Sequence, residues 1–163
     1  MYVNDQHVCV HQCSVIQFAD DTTIYGTGLL PDIIQNANAD LIGIWTWFCA
    51  NRMAISPTKT AAMLISNFNA RLPPILPDIK LAGSTVPLSD SIKPLGITID
   101  KHLSWHQHCT NLQQKLAKAM YLLRRVKGLL PIGVMKQLYY AIFHSHLLYG
   151  VALWGGSHRW QFE

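Results

Sequence analysis

Between Cys13 and Tyr25 two runs of strand-forming residues meet at a pair of adjacent carboxylates, and this arrangement limits the possible folds more than any other stretch of the chain. Val15, Ile16 and Phe18 lead in, and Thr22, Thr23, Ile24 and Tyr25 lead out. β-Branched and aromatic side chains suit a pleated, half-buried surface. So short a connection leaves room only for a tight turn. The segment is predicted as a β-hairpin with Asp20-Asp21 at its tip, ended by Gly26 and Gly28.

The residues that follow change period. Pro31 and Asp32 suit the first turn of a helix. Ile33, Ile34, Ala37, Leu41, Ile44, Trp45 and Phe48 then recur at helical spacing and make one apolar stripe, with Asn51 as a stop signal. Ala54-Ile55 reads as extended, Ser56–Thr60 as a turn and Met63-Leu64-Ile65 as another strand. Three prolines in 66–78 mark a loop. A hairpin around Gly83-Ser84 is predicted over 79–87, and a strand over Leu95–Ile99. From His106 the period is helical again, with Leu112, Leu116, Ala119, Met120, Leu123 and Val126 on one face. Gly128 and Pro131 separate this helix from a second one built on Val134, Leu138 and Ile142, which suggests an antiparallel pair. The fold class implied is α+β.

Hydrophobic residues make up 50% of the 163 and charged residues only 13%, a composition of a folded chain. The net charge of +4 is unevenly spread. Residues 1–100 hold five Lys/Arg against eight Asp, and residues 101–163 hold eight against the single acid Glu163. An acidic front suits metal ions and a basic back suits phosphates, although basic helices also serve as soluble faces. The four cysteines form no CxxC pair and no secretory leader precedes them, so they read as reduced thiols of an intracellular protein, cytoplasmic or nuclear. His7, Cys9, His11 and Cys13 would share one side of a strand, but their spacing is not that of common zinc sites. The uncharged stretch Gln137–His158 contains two histidines and three tyrosines before its end, and reads as a buried helix rather than a membrane span.

Two like charges at a hairpin tip cost folding energy that neutral residues would avoid. A hard cation explains the pair, because Mg²⁺ takes oxygen ligands and phosphoryl transfer uses it. Neighbouring strand residues face opposite sides, but a tight turn relaxes that rule. The competing reading is a solvated, Asp-rich turn.

Phe18-Ala19-Asp20-Asp21, flanked by apolar strands, resembles the catalytic turn of reverse transcriptases. Tyr2-Val3-Asn4-Asp5 upstream is similar to the segment before that turn in jockey-like non-LTR retrotransposon enzymes. Trp47, Asn51, Lys59-Thr60 and Met63-Leu64-Ile65 resemble the next motif, and Lys93 to Asp100 the primer-grip region. Leu103-Ser104-Trp105, His108 and Lys115 resemble the start of the thumb, and Leu138-Tyr139, Tyr149-Gly150 and Leu153-Trp154-Gly155 its close. These matches follow the family's order across nearly the whole chain.

The resemblance implies a partial polymerase palm over 1–100, a helical thumb over 101–155 and a tail over 156–163. It implies RNA-directed DNA synthesis, with RNA template, DNA primer and dNTP as partners and no membrane. Asp20 and Asp21 would hold Mg²⁺ or Mn²⁺, and Lys59 would lie near the incoming nucleotide or simply in solvent. Leu95 and Gly96 would lie under the primer end, where glycine permits close backbone approach or merely a bend. Lys115, Lys118 and Arg125 would contact duplex phosphates or be solvated. The family also needs a carboxylate on an earlier palm strand, and fingers, for which these residues hold no match. The chain is therefore expected to be a fragment, inactive alone, with the missing N-terminal fingers and palm segment as its partner. The alternative is a non-catalytic nucleic-acid-binding or interaction module that uses the basic helices and ignores the turn.

Overall fold

The computed structural model describes residues 5–66 and 77–156. The Tyr2–Asn4 part of the upstream motif, most of the 66–78 loop and the tail after Gly156 lie outside the described residues. The chain divides into two compact units. The first holds the described residues up to Leu64 together with those from Pro77 to Ser89. The second runs from Asp90 onward and includes Ile65 and Ser66. The chain mixes helices with small antiparallel sheets, which is compatible with an α+β fold, and among the described residues the strands form three separate two-stranded hairpins rather than one sheet.

In the first unit, Gln6–Cys9 forms a 3₁₀ turn. The strand expected to align His7, Cys9, His11 and Cys13 is therefore absent. Strands β1 (Ser14–Phe18) and β2 (Asp21–Tyr25) pair antiparallel, with Phe18 opposite Asp21. Helix α1 (Leu30–Ala50) follows, with Pro31 and Asp32 in its first turn and Asn51 capping its end. It buries Ile34 and Ile44, each contributing about 1.5–3 kcal/mol. Its main neighbours are the Gln6–Cys9 turn and β3 (Lys80–Leu81). β3 pairs with β4 (Ser84–Thr85). The turn between them is Ala82-Gly83, one residue earlier than predicted, with φ of 53° and 79°. Two successive positive φ values match the right-handed twist of a two-residue hairpin.

No strand forms over Met63–Ile65. This stretch meets no partner long enough for a ladder, and only the adjacent Ala62 makes an isolated parallel bridge, to Leu88.

In the second unit, β5 (Ser91–Ile92) pairs with β6 (Ile99–Asp100). The strand predicted over Leu95–Ile99 is thus reduced to its last residue. Pro94–Gly96 is a 3₁₀ turn in which Leu95 has φ 50° and Gly96 φ 84°. Left-handed residues cannot continue a strand. α2 (His106–Val126) buries Cys109, Ala119 and Leu123, extending the expected apolar face by one turn. α3 (Ile132–Tyr139), a π turn (Tyr140–His144) and α4 (Ser145–Leu148) pack back against it. The Ser145 hydroxyl donates to the Ala141 carbonyl inside the π turn. Gly150 (φ 66°) breaks the run before the short α5 (Val151–Trp154). Gln137 onward is therefore not one buried helix. Tyr140, Leu148, Tyr149 and Leu153 are exposed, because one partner helix covers only one face. No helix among the described residues is long and apolar enough to cross a membrane.

Candidate functional site

The carboxylate hairpin is held from below and from its entry. Ala19 and Asp20 are the two loop residues, and Asp21 already belongs to β2. Opposed residues of an antiparallel pair share a face. Val15 with Ile24 and Gln17 with Thr22 therefore point one way, and Ile16, Thr23, Phe18 and Asp21 the other. Gln6 lies against the Gln17–Thr22 pair, 1% exposed. Its Oε1 accepts from Gln17 Nε2 at 2.9 Å and from Thr22 Oγ1 at 3.1 Å. A buried amide is tolerated only when so satisfied.

The entry to β1 is seated on α1. Asp40 is 3% exposed in the middle of the apolar stripe. Its carboxylate accepts backbone N–H groups from His11 (2.9 Å), Gln12 (3.0 Å) and Cys13 (2.7 Å). Burial alone would raise its pKa. The donated N–H groups of His11, Cys13 and Gln12 outweigh that and hold the carboxyl below its ordinary value. One turn on, Gly43 lets the Cys9 carbonyl approach so closely that a Cβ there would lie 2.7 Å from the oxygen. Burial, then the Asp40 charge, pushes the Cys13 thiol pKa up.

Asp20 and Asp21 are both exposed. Among the described residues neither carboxylate takes part in a hydrogen bond or ion pair, and no group of three or more His, Cys, Asp or Glu gathers to hold a metal. The pair fits Mg²⁺ in one respect: this ion is commonly bound by one or two carboxylates with substrate phosphates completing its shell. Lys59 ends a 3₁₀ turn (Pro57–Lys59) after α1 and is exposed.

The remaining predicted site residues lie in the second unit. Leu95 is 45% exposed, and its carbonyl accepts the Tyr149 hydroxyl at 2.6 Å. Gly96, Lys115 and Lys118 line one cleft of about 330 Å³ together with Lys93. Arg125 does not line it; it lies in the last turn of α2, where a cation complements the helix dipole. At the cleft wall the buried His108 accepts the Thr98 N–H on Nδ1 at 3.3 Å. Its Nε2 is buried without a partner. Burial, then the nearby Lys115 charge, keeps its pKa below the ordinary value.

Asp100 does for this unit what Asp40 does for the first. It accepts N–H groups from His102, Ser104 and Trp105, and the Ser104 hydroxyl, at 3.0–3.1 Å. Those bonds fix a loop in which Leu103 and Trp105 have positive φ. Burial would raise its pKa, but the donated bonds lower it overall. Sequence reading missed Gln6, Asp40 and Asp100. An Asp inside an apolar helical stripe was the one available signal.

Over 83 residues, 48% of its length, the chain is 31% identical to the RNA-directed DNA polymerase from mobile element jockey of Drosophila melanogaster. The matched stretch covers 9% of that protein. No family model matches the chain, and no solved structure matches it.

Proposed function

We propose that the chain is a segment of an RNA-directed DNA polymerase of a non-LTR retroelement, with residues 1–100 as part of the palm and residues 101–155 as the helical thumb. The similarity to the jockey polymerase carries this reading. The exposed Asp20-Asp21 pair on a tight two-residue hairpin is what such a centre would require.

In this reading Asp20 and Asp21 hold divalent metal, which when bound activates the primer 3′-hydroxyl and neutralises charge on the leaving pyrophosphate. Gln6 and Asp40 act as positioning residues, since they fix the hairpin and its entry without reaching substrate. Lys59 meets the incoming nucleotide's phosphates. The Leu95-Gly96 turn approaches the primer end, where Gly96 presents no Cβ. Lys115, Lys118 and Arg125 contact phosphates.

Two carboxylates alone make an incomplete two-metal site. The 163 residues by themselves are expected to incorporate no dNTP on a primed RNA template. Co-expression with the upstream polymerase segment of a complete relative should restore incorporation, and Asp20→Ala should remove it by orders of magnitude. Incorporation by the chain alone, abolished by Asp20→Ala, would overturn the segment reading. Failure of every complemented complex, with both parts folded, would sink the polymerase reading. The second reading, a non-catalytic nucleic-acid-binding module, is favoured by one observation: the lysine cleft in the second unit needs nothing from the carboxylate hairpin.

A further inference from the structure

The second unit gathers three lysines in one cleft without a counter-charge. Lys93 comes from the residue before the Pro94–Gly96 turn, Lys115 and Lys118 from successive turns of α2, and His146 from α4. Asn111 and Gln114 add side-chain amides, and among the described residues no carboxylate lines the cleft. Among the described residues the one ion pair joins Lys101 to Asp90, so none of the three lysines has a carboxylate partner. Like charges that line one cleft repel, and an anion between them relieves that repulsion.

The walls are set before any ligand arrives. The Tyr149 hydroxyl ties the turn carrying Leu95 to the end of α4, and the Thr98 N–H ties the following segment to His108 on α2. Such preorganisation removes part of the entropic cost of binding. The volume of about 330 Å³ suits a phosphate with its flanking atoms. It sits at the small end of ligand sites, which run roughly 300–1,000 Å³.

We propose that this cleft is a single phosphate-oxyanion site, with Lys93, Lys115 and Lys118 as its cations and Asn111 and Gln114 as amide donors. It deepens the thumb reading above, and it rests on that reading for taking a nucleic-acid strand as the phosphate's source. It departs from the sequence reading in two residues: Lys93 joins the site and Arg125 lies outside it.

The test uses the full chain in two arms. In the first, inorganic phosphate is titrated into the isotope-labelled chain. Saturable amide shifts at Gly96, Asn111, Lys115 and Lys118, with Lys136 unmoved, are expected. In the second, a short RNA–DNA duplex is bound at several salt concentrations by the parent, by a Lys93→Ala/Lys115→Ala/Lys118→Ala variant and by a Lys136→Ala control. One phosphate's share of counterion release is a slope of about 0.9 in log affinity against log salt. The triple variant should lose that amount and the control nothing. Far-UV circular dichroism checks that the variant is folded.

Duplex that displaces phosphate confirms a strand as the source. Phosphate binding with no duplex binding keeps the cleft as a free-phosphate site and removes the nucleic-acid reading. Duplex binding with an unchanged slope, and no phosphate shifts, overturns the cleft while nucleic-acid binding survives. A loss near three times 0.9 means three separate phosphates and overturns the single site.

Discussion

Removing the Asp40 carboxylate should unseat the hairpin that carries Asp20 and Asp21. Asp40→Ala leaves the N–H groups of His11, Gln12 and Cys13 without their acceptor. A hydrogen bond to a charged group contributes about 1.5–3 kcal/mol, but three such values do not add here. His11 and Gln12 are exposed, so water replaces part of what they lose. Deleting a buried carboxylate also lifts its own desolvation cost. The net expectation is a loss of about 2–4 kcal/mol. Asp40→Asn should cost nearly as much, since it removes the charge and brings an NH₂ toward three donors.

The readouts for Asp40 are urea unfolding followed by circular dichroism, and amide exchange at Val15–Gln17, which should accelerate far more than exchange in α2. The pH dependence has a definite sign. The folded pKa is lowered, so this stabilisation is complete above the unfolded carboxylate value, about 3.9. It is lost as pH falls through the folded pKa. The gap between parent and Asp40→Ala should therefore close in acid. A ΔΔG within about 0.5 kcal/mol of zero, or a gap that widens as pH drops, would refute the reasoning.

Gly43→Ala should destabilise the first unit. In an ordinary helix the change gains about 1 kcal/mol, whereas here the new Cβ meets the Cys9 carbonyl at 2.7 Å; a raised melting temperature would contradict this. Ala19 has φ 53° at the hairpin turn, so Ala19→Gly should stabilise by about 0.5–1 kcal/mol, and unchanged or lower stability in urea would count against the turn geometry. Asp100→Ala should cost about 2–3 kcal/mol, again shrinking in acid because its folded pKa is lowered; an equal loss at low pH would mean the carboxylate is not what fixes the loop. Ile16 and Phe18 are 58% and 62% exposed on a two-stranded hairpin, and exposed apolar edges invite pairing. The chain expressed alone should therefore self-associate, and a monodisperse monomer in analytical ultracentrifugation would argue for an independent module.

Local order was legible in the residues themselves. The Ser14–Tyr25 hairpin follows from two strand-forming runs around a tight turn. α1 follows from Pro31, Asp32 and the stripe that ends at Asn51, and α2 from the face running Leu112 to Val126. These are short-range effects: propensity, capping and period act within a few residues, so the sequence states them directly. Strands were less legible. Leu95–Ile99 has β-branched composition, yet Leu95 and Gly96 turn left-handed because Ile99 pairs with Ile92 rather than continuing an extended run. Met63–Ile65 has the composition too, but a strand exists only where a partner supplies its ladder.

The long-range polar contacts were decided by tertiary structure alone. Asp40 reaches back to residues 27 to 29 positions earlier, Gln6 reaches forward to Gln17 and Thr22, and Tyr149 reaches Leu95 across 54 positions. Nothing in the spacing of these residues encodes such pairs, because chain folding sets which backbone groups arrive unsatisfied beside which side chains. The same holds for the lysine cleft. Lys115 and Lys118 could be placed on one helix face from sequence, but Lys93 joins them only because the turn after it is pinned to the end of α4.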